Sequence, residues 1–153
     1  MRDRNKGFSL IELLVTVSVL GILVSIAVPG FTALIRSNRT DADTGSFYRA
    51  LNYARIEAIN RGVNIWVTPV TGVSTDWATP LNVMYGNTVL RVIPGMTKNA
   101  TMTPSANIAY IEFNNLGVMS SPGANLTLNY VNGTTTRTIG VCVSGRVVLA
   151  GTC

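Results

Sequence analysis

The feature that most constrains this chain is a run of 23 residues, Leu13–Ile35, that contains no Asp, Glu, Lys or Arg. As a helix with a rise of about 1.5 Å per residue, this run spans roughly 35 Å, which is enough for a hydrocarbon core of about 30 Å. Three basic residues, Arg2, Arg4 and Lys6, precede the run, and positive charge before a first apolar segment favours a cytoplasmic location for that end. The sequence therefore predicts a single membrane-spanning helix near the N-terminus.

A cleavable secretory signal and a plain signal anchor share this pattern. The apolar core of a secretory signal is shorter, about 7 to 15 residues, and residues 28–30 (Val-Pro-Gly) and beyond provide no convincing cleavage site. A signal anchor fits the length, but Glu12 lies at the start of the apolar segment. Because a carboxylate near the centre of a spanning segment costs about 3 kcal/mol, and less near its end, Glu12 indicates a functional site whose partner has to be identified.

Residues 7–12, with the sequence GFSLIE, resemble the signature of type IV prepilins and type II secretion pseudopilins. In that family a membrane-embedded aspartyl peptidase cuts between the glycine and the phenylalanine and N-methylates the new amino terminus. The resemblance implies a leader of residues 1–7, cleavage between Gly7 and Phe8, and N-methylation of Phe8. It also implies that Glu12 pairs with the amino terminus of a neighbouring subunit, since two opposite charges in a low-dielectric bundle cost less together than alone.

The helical pattern resumes after the apolar run. Pro29-Gly30 weakens a helix and could end it at the membrane surface, but we favour one continuous helix. Residues 40–43 (Thr-Asp-Ala-Asp) are predicted to cap a second helix or to form a solvent-facing turn. Apolar residues then recur along one helical face, and Gly62 predicts the C-terminal end. The residues of this face are Phe47, Leu51, Ala54 and Ala58.

Residues 47–58 carry a second resemblance, to the F-x-x-x-L-x-x-A-R-x-E-A segment of FimT/FimU minor pilins and H-type secretion pseudopilins. The matching positions are Phe47, Leu51, Ala54, Arg55, Glu57 and Ala58. The chain is thus identified as a member of the FimT/FimU (GspH-like) minor pilin family.

The remainder of the chain predicts short strands joined by tight turns. The strand candidates are Val63–Val67, Leu81–Tyr85, Thr88–Ile93, Ile108–Phe113, Leu126–Val131, Thr136–Val143 and Arg146–Leu149. The pairs Gly86-Asn87, Asn132-Gly133 and Ser144-Gly145 each suit a two-residue hairpin turn. We expect an α+β fold in which a long N-terminal helix packs on an antiparallel sheet or sandwich.

Together with the helix and strand patterns, the resemblance implies four segments. They are the leader (1–7), an assembly helix in the membrane (8–35), an amphipathic continuation (36–61) and a β-rich periplasmic head (62–153).

The two cysteines, Cys142 and Cys153, lie near the C-terminus. A disulfide between them is favoured by an oxidising extracytoplasmic compartment, and its 12-residue ring contributes roughly 2.8 kcal/mol by loop-closure entropy. If Ser144-Gly145 formed a two-residue turn, Cys142 would face Val147 and Cys153 would lie too far away. We therefore expect the tail to bend back near Ala150-Gly151.

Several kinds of chemistry are absent from the sequence. The chain contains no histidine, which excludes Ser-His-Asp and Cys-His nucleophile systems and makes a metal site with two cysteines improbable. Asp76 and Glu112 are the only acids after residue 61, and isolated acids in a strand-rich head are usually solvated. We expect neither an enzyme nor a cofactor.

Three functions compete. The favoured one is a minor type IV pilin in a low-abundance priming or tip complex that serves twitching, adhesion or DNA uptake, with other minor and major pilins, prepilin peptidase and the inner membrane as partners. The second is an H-type pseudopilin of a type II secretion system. The third is a DNA-uptake pilin with weak phosphate contacts at Arg137 and Arg146, but nucleic acid is not favoured because phosphate binding usually needs several converging cations.

Overall fold

The structure, a computed structural model, describes residues 8–72, 75 and 77–153. The predicted leader, residues 1–7, and Asp76 lie outside the described residues. The chain divides into two compact units, residues 1–36 and 37–153. One α-helix, α1 (Leu10–Arg61), contributes to both units.

In the first unit, α1 continues through Pro29, as the favoured interpretation predicted. Every described residue of this unit up to Leu34 is exposed, including large apolar side chains such as Leu10, Ile26 and Phe31. The helix is long and apolar enough to cross a membrane, with a mean hydropathy of 2.5 in its best window.

In the second unit, one face of α1 is buried. Its buried residues are Thr40, Thr44, Phe47, Ala50, Leu51, Ala54 and Ala58. Residues 40–43, predicted as a helix cap or a solvent-facing turn, lie instead inside α1, because Thr40 and Thr44 continue the buried face toward the N-terminus. The helix ends at Arg61 as expected: the amides of Gly62 and Val63 donate to the carbonyls of Ile59 and Ala58, which satisfies two terminal carbonyl groups.

Within the described residues, nine strands follow α1. They are β1 (Ile65–Pro69), β2 (Leu81–Tyr85), β3 (Thr88–Ile93), β4 (Thr101–Pro104), β5 (Ile111–Phe113), β6 (Met119–Ser121), β7 (Leu126–Asn132), β8 (Thr135–Val141) and β9 (Val147–Leu149).

The strands form two antiparallel sheets that enclose the core with the second part of α1. Sheet A has the order β3-β2-β1-β5-β6, and sheet B has the order β4-β7-β8-β9. Alternate residues of the strands point into the core, as in the buried–half-buried alternation of β1 and β2. Phe47 of α1 packs edge-on against the fully buried Trp77, with ring centroids 6.2 Å apart. The predicted α+β fold is confirmed.

Two strands were missed by the sequence analysis, and several boundaries differ. β4 and β6 are short and rich in Ser, Thr and Pro, so they lack the apolar run that predicts a strand. The strand predicted from Ile108 is present only over Ile111–Phe113, and the strand predicted at Val63 begins at Ile65.

The predicted turns are correct at one hairpin, wrong by one position at the second and too short at the third. Tyr85 pairs with Thr88, so residues 86–87 form the expected two-residue turn. Asn132 pairs with Thr135, so the second loop is residues 133–134, because a type II′ turn places its glycine first. In the third hairpin Val141 faces Val147, which leaves a longer loop than the predicted Ser144-Gly145 turn.

Candidate functional site

The first part of the candidate site is the N-terminal end of α1. Glu12 accepts hydrogen bonds at Oε2 from the backbone amide and the hydroxyl of Ser9, both at 3.1 Å. The backbone amide of Glu12 in turn donates to the Ser9 hydroxyl at 3.3 Å. This reciprocal arrangement is a capping box, which satisfies orphan amides at a helix start. The Ser-x-x-Glu spacing of residues 9–12 is its sequence signature, although no cap was predicted there.

The capping box uses only Oε2 of Glu12 and leaves Oε1 free to accept another hydrogen bond. Among the described residues, Oε1 of Glu12 has no partner and no basic side chain pairs with this carboxylate. Phe8, the predicted mature N-terminal residue, is 79% exposed. Gly7, the predicted residue on the other side of the cleavage point, lies outside the described residues.

The apolar segment satisfies its own polar side chains. The hydroxyls of Thr16, Ser18, Ser25 and Thr32 each donate to a carbonyl three or four residues earlier, at 2.7–2.9 Å. Since an unpaired polar group is costly in hydrocarbon, this pattern makes the segment compatible with a bilayer or a bundle of similar helices.

Arg55, from the segment that resembles FimT/FimU, ties α1 to a loop of each sheet. Its Nε donates to the carbonyl of Gly117, in the β5–β6 loop, at 2.9 Å, and a terminal nitrogen lies 3.5 Å from the carbonyl of Ser144, in the β8–β9 loop. The amide of Met119 also donates to the carbonyl of Val143 at 2.9 Å. Arg55 therefore has a positioning role in the head, which the sequence analysis did not assign.

Asp43 lies in α1 about three turns before Arg55 and connects the helix to the head by hydrogen bonds. Its Oδ2 accepts from the Tyr130 hydroxyl at 2.7 Å and from the Thr97 amide at 2.9 Å. Burial, and secondly the Asp43 carboxylate, raise the pKa of Tyr130 to about 12, so this hydroxyl stays protonated at any physiological pH.

Cys142 and Cys153 are joined by a disulfide with their Cα atoms 5.3 Å apart. The tail reaches Cys142 because the chain turns at Ala150, which has a φ of 57°, close to the bend expected from the sequence. The tail then passes over Gly140 of β8, where a Cβ atom would lie 2.9 Å from the Gly151 carbonyl oxygen.

The two arginines predicted as weak phosphate contacts are not brought together. Arg137 lies near the start of β8 and pairs with Asp41 at 3.3 Å. Arg146 lies beyond the other end of that strand, in the β8–β9 loop, and is exposed. From Arg137 to Val141 alone, a strand extends about 13 Å, so these two side chains do not form one site.

The remaining acids of the head form no recognisable catalytic or metal centre. Glu112 accepts a hydrogen bond from the Ser120 hydroxyl at 2.7 Å, and the other predicted acid, Asp76, lies outside the described residues. Among the residues that the structure describes, no three His, Cys, Asp or Glu side chains lie close enough to hold a metal ion.

The architecture is similar to that of two crystal structures of the type IV minor pilin FimU from Pseudomonas aeruginosa PAO1. One aligns with a TM-score of 0.63 over 72% of this chain and 92% of FimU, and the other with 0.65 over 76% and 90%. Sequence identity is 19% in both, so the likeness establishes the fold alone. The long apolar helix and the two antiparallel sheets thus define a pilin-like protein.

Two family models match the sequence. The model for Type II transport protein GspH matches residues 43–146, and the model for the prokaryotic N-terminal methylation motif matches residues 2–28. The chain belongs to the GspH family, which confirms the predicted family. The family and the fold are those of structural proteins rather than enzymes.

A curated relative matches a shorter segment. The type IV major pilin protein PilA of Myxococcus xanthus DK1622 is 48% identical over 42 residues. The match covers 27% of this chain and 19% of PilA, so the chain spans about a fifth of the length of the relative it matches. Together, the methylation motif and the apolar helix indicate membrane anchoring with a soluble head.

Proposed function

We propose that this protein is a minor subunit of a type IV pilus, incorporated in a low-abundance priming or tip complex. In this role prepilin peptidase removes residues 1–7 by cleavage between Gly7 and Phe8 and methylates the amino group of Phe8. The mature chain is anchored in the inner membrane by residues 8–35, with the continued helix (36–61) and the head (62–153) in the periplasm. Its partners are other minor and major pilins.

The observation that carries this proposal is the state of Glu12. Its carboxylate stands at the start of an exposed apolar helix, one oxygen is held by Ser9, and no basic group of the described residues compensates its charge. A charge that enters a low-dielectric helix bundle without a partner is strongly unfavourable, and a cation from an adjoining protomer removes that cost. The α-amino group of a neighbouring Phe8 is such a cation, and its pairing with Glu12 would set the register of each subunit one step along the filament.

The first test is the N-terminal sequence and mass of the mature protein. We expect the mature chain to begin with N-methylated Phe8, and a different first residue would contradict the proposal.

The second test replaces Glu12. Glu12→Ala is expected to lower incorporation into sheared filaments by at least tenfold, because one uncompensated charge then remains at the amino terminus of the neighbour. Ser9→Ala is the matched control: it removes the cap but keeps the carboxylate, so membrane levels and incorporation should change far less. Immunoblots of membrane and filament fractions measure both variants, and unchanged incorporation of Glu12→Ala would refute the role of Glu12.

A second candidate function is that of an H-type pseudopilin in a type II secretion system. The description of the matched family, Type II transport protein GspH, favours it. Co-purification of the full chain with the products of its neighbouring genes separates the two: minor pilins in the complex support the first function, and secretion pseudopilins support the second.

A further inference from the structure

Two arginines of the second unit, one on α1 and one on β3, line the same cleft, away from the contacts described above. The cleft has a volume of about 110 Å³ and lies between α1, which contributes Arg49, and the end of β3, which contributes Arg91. Since a water molecule occupies about 30 Å³ in the liquid, the cleft has room for a few waters or one small ion.

The strand register explains the position of Arg91. β3 is one of the two edge strands of sheet A, and Arg91 pairs with Val83, which is fully buried. Directly paired residues share a face of the sheet, so Arg91 lies on the core-facing side at the rim, where its guanidinium reaches α1. It stacks over the ring of Tyr53 with 5.2 Å between the guanidinium carbon and the ring centroid, which restrains its orientation.

Arg49 lies on the α1 side of the cleft, where a hydrogen bond to Ser46 restrains its side chain. One of its terminal nitrogens donates to the hydroxyl oxygen of Ser46 at 3.0 Å. Ser46 also lines the cleft and acts here as an acceptor, so its own O–H has no acceptor among the described residues.

Neither arginine is neutralised by the described part of the head. Arg49 and Arg91 form no ion pair with a described carboxylate, in contrast to Arg61 and Arg137. Asp43 lines an adjoining cavity and keeps its negative charge, but its Oδ2 accepts from the Tyr130 hydroxyl and the Thr97 amide, and it forms no ion pair with Arg49 or Arg91. Both arginines are exposed at the cleft, so an anion bound there is attracted to two positive charges that no described carboxylate pairs with.

We propose that the Arg49–Arg91 cleft binds a phosphate group. A carboxylate has two oxygens, which a single arginine already occupies in a bidentate pair. A phosphate group has enough oxygens to accept from both guanidinium groups and from the Ser46 hydroxyl together. The ligand is either a small phosphate compound or the phosphodiester of a nucleic acid, and the site is independent of the filament role of Glu12.

The test is a titration of the full chain in non-ionic micelles, monitored by the Nε–Hε NMR signals of its arginines. With inorganic phosphate as the probe, we expect saturable shifts of the Arg49 and Arg91 signals. Arg49→Gln and Arg91→Gln should each weaken binding by about tenfold, as expected when one charge-assisted contact is lost. Tyr53→Leu keeps both charges but removes the stacking partner of Arg91, and it should weaken binding about threefold.

Arg61→Gln is the matched control, because it removes the same charge from α1 about 18 Å further along the helix than Arg49. It should leave phosphate binding unchanged within about twofold. Equal weakening by Arg61→Gln and Arg91→Gln, or the absence of saturable shifts, would overturn the site. Acetate that competes as well as phosphate would overturn the assignment to phosphate.

A short duplex DNA then identifies the source of the phosphate. Binding of the duplex that is lost in Arg49→Gln and Arg91→Gln and falls with salt supports a nucleic-acid phosphodiester. Binding of inorganic phosphate without binding of the duplex supports a small phosphate ligand. The unfolding temperature of each variant, measured without phosphate, shows whether the head is intact.

Discussion

Gly145 places the β8–β9 loop against the β5–β6 loop, and its replacement by alanine tests how closely these two loops approach. Gly145 has a φ of 81°, and a Cβ atom there would overlap the carbonyl group of Gly117 and lie 2.8 Å from Nε of Arg55. The carbonyl of Gly117 is the acceptor for that same Nε. An alanine can therefore be accommodated only if one loop moves and the Arg55 hydrogen bond breaks.

Gly86 is the matched control for this substitution. It has a φ of 54°, and a Cβ atom there would have no neighbour within 4 Å. An alanine in the left-handed region costs about 1–2 kcal/mol, which is the whole expected loss for Gly86→Ala. A hydrogen bond to a charged group is worth about 1.5–3 kcal/mol, so with the backbone cost Gly145→Ala should lower the free energy of unfolding by about 2.5–5 kcal/mol.

The free energy of unfolding is measured by urea titration of the full chain in non-ionic micelles, with the near-UV circular dichroism of the buried Trp77 as the signal for the head. The disulfide is left intact in both variants. If Gly145→Ala and Gly86→Ala were destabilised equally within about 0.5 kcal/mol, the close approach of the two loops would be refuted.

Two further predictions concern the same head. The pKa of Tyr130 is raised from its ordinary value of 10.0 to about 12, so the stability contributed by its protonated hydroxyl is fully present below pH 10 and is lost as the pH rises through 12. Because Asp43 is partly solvated, we expect this loss to be about 1–2 kcal/mol, and Tyr130→Phe should remove it from the pH profile of unfolding. Cys153→Ser opens the ring closed with Cys142 and should lower the free energy of unfolding by about 2–3 kcal/mol. Reduction of the wild-type chain should have the same effect, and a change below about 0.5 kcal/mol would contradict this expectation.

The helix and most of the strands were predictable from the sequence because their signals are local and repeated. The spacing of Phe47, Leu51, Ala54 and Ala58 predicts a buried helical face, and all four residues are buried. Residues 40–43 were misinterpreted because capping residues look the same at a helix start and inside a helix. Only the distant partners of Asp43, on β7 and in the loop before β4, distinguish the two cases.

The register of two hairpins and the role of Arg55 could not be predicted, because both depend on contacts distant in sequence. The loop after β8 is longer than a two-residue turn: the amide of Cys142 donates to the carbonyl of Arg146, and the amide of Gly145 donates to the carbonyl of Cys142. This loop packs against Arg55 and the Gly117 loop. Arg55 is 89 residues from Ser144 and 62 residues from Gly117 along the chain. A pattern of turn residues does not contain that information.

The capping box changes how the acid of the N-terminal motif should be understood. An isolated Glu12 would lose side-chain entropy on pairing with a neighbouring amine, but Ser9 already holds its Oε2 toward the start of the helix. Oε1 is left for a second donor, so capping and pairing across a subunit boundary use different oxygens of one carboxylate. The Ser-x-x-Glu spacing within residues 9–12 therefore serves two purposes: it begins the helix, and it preorganises the carboxylate that we propose accepts the amino terminus of the next subunit.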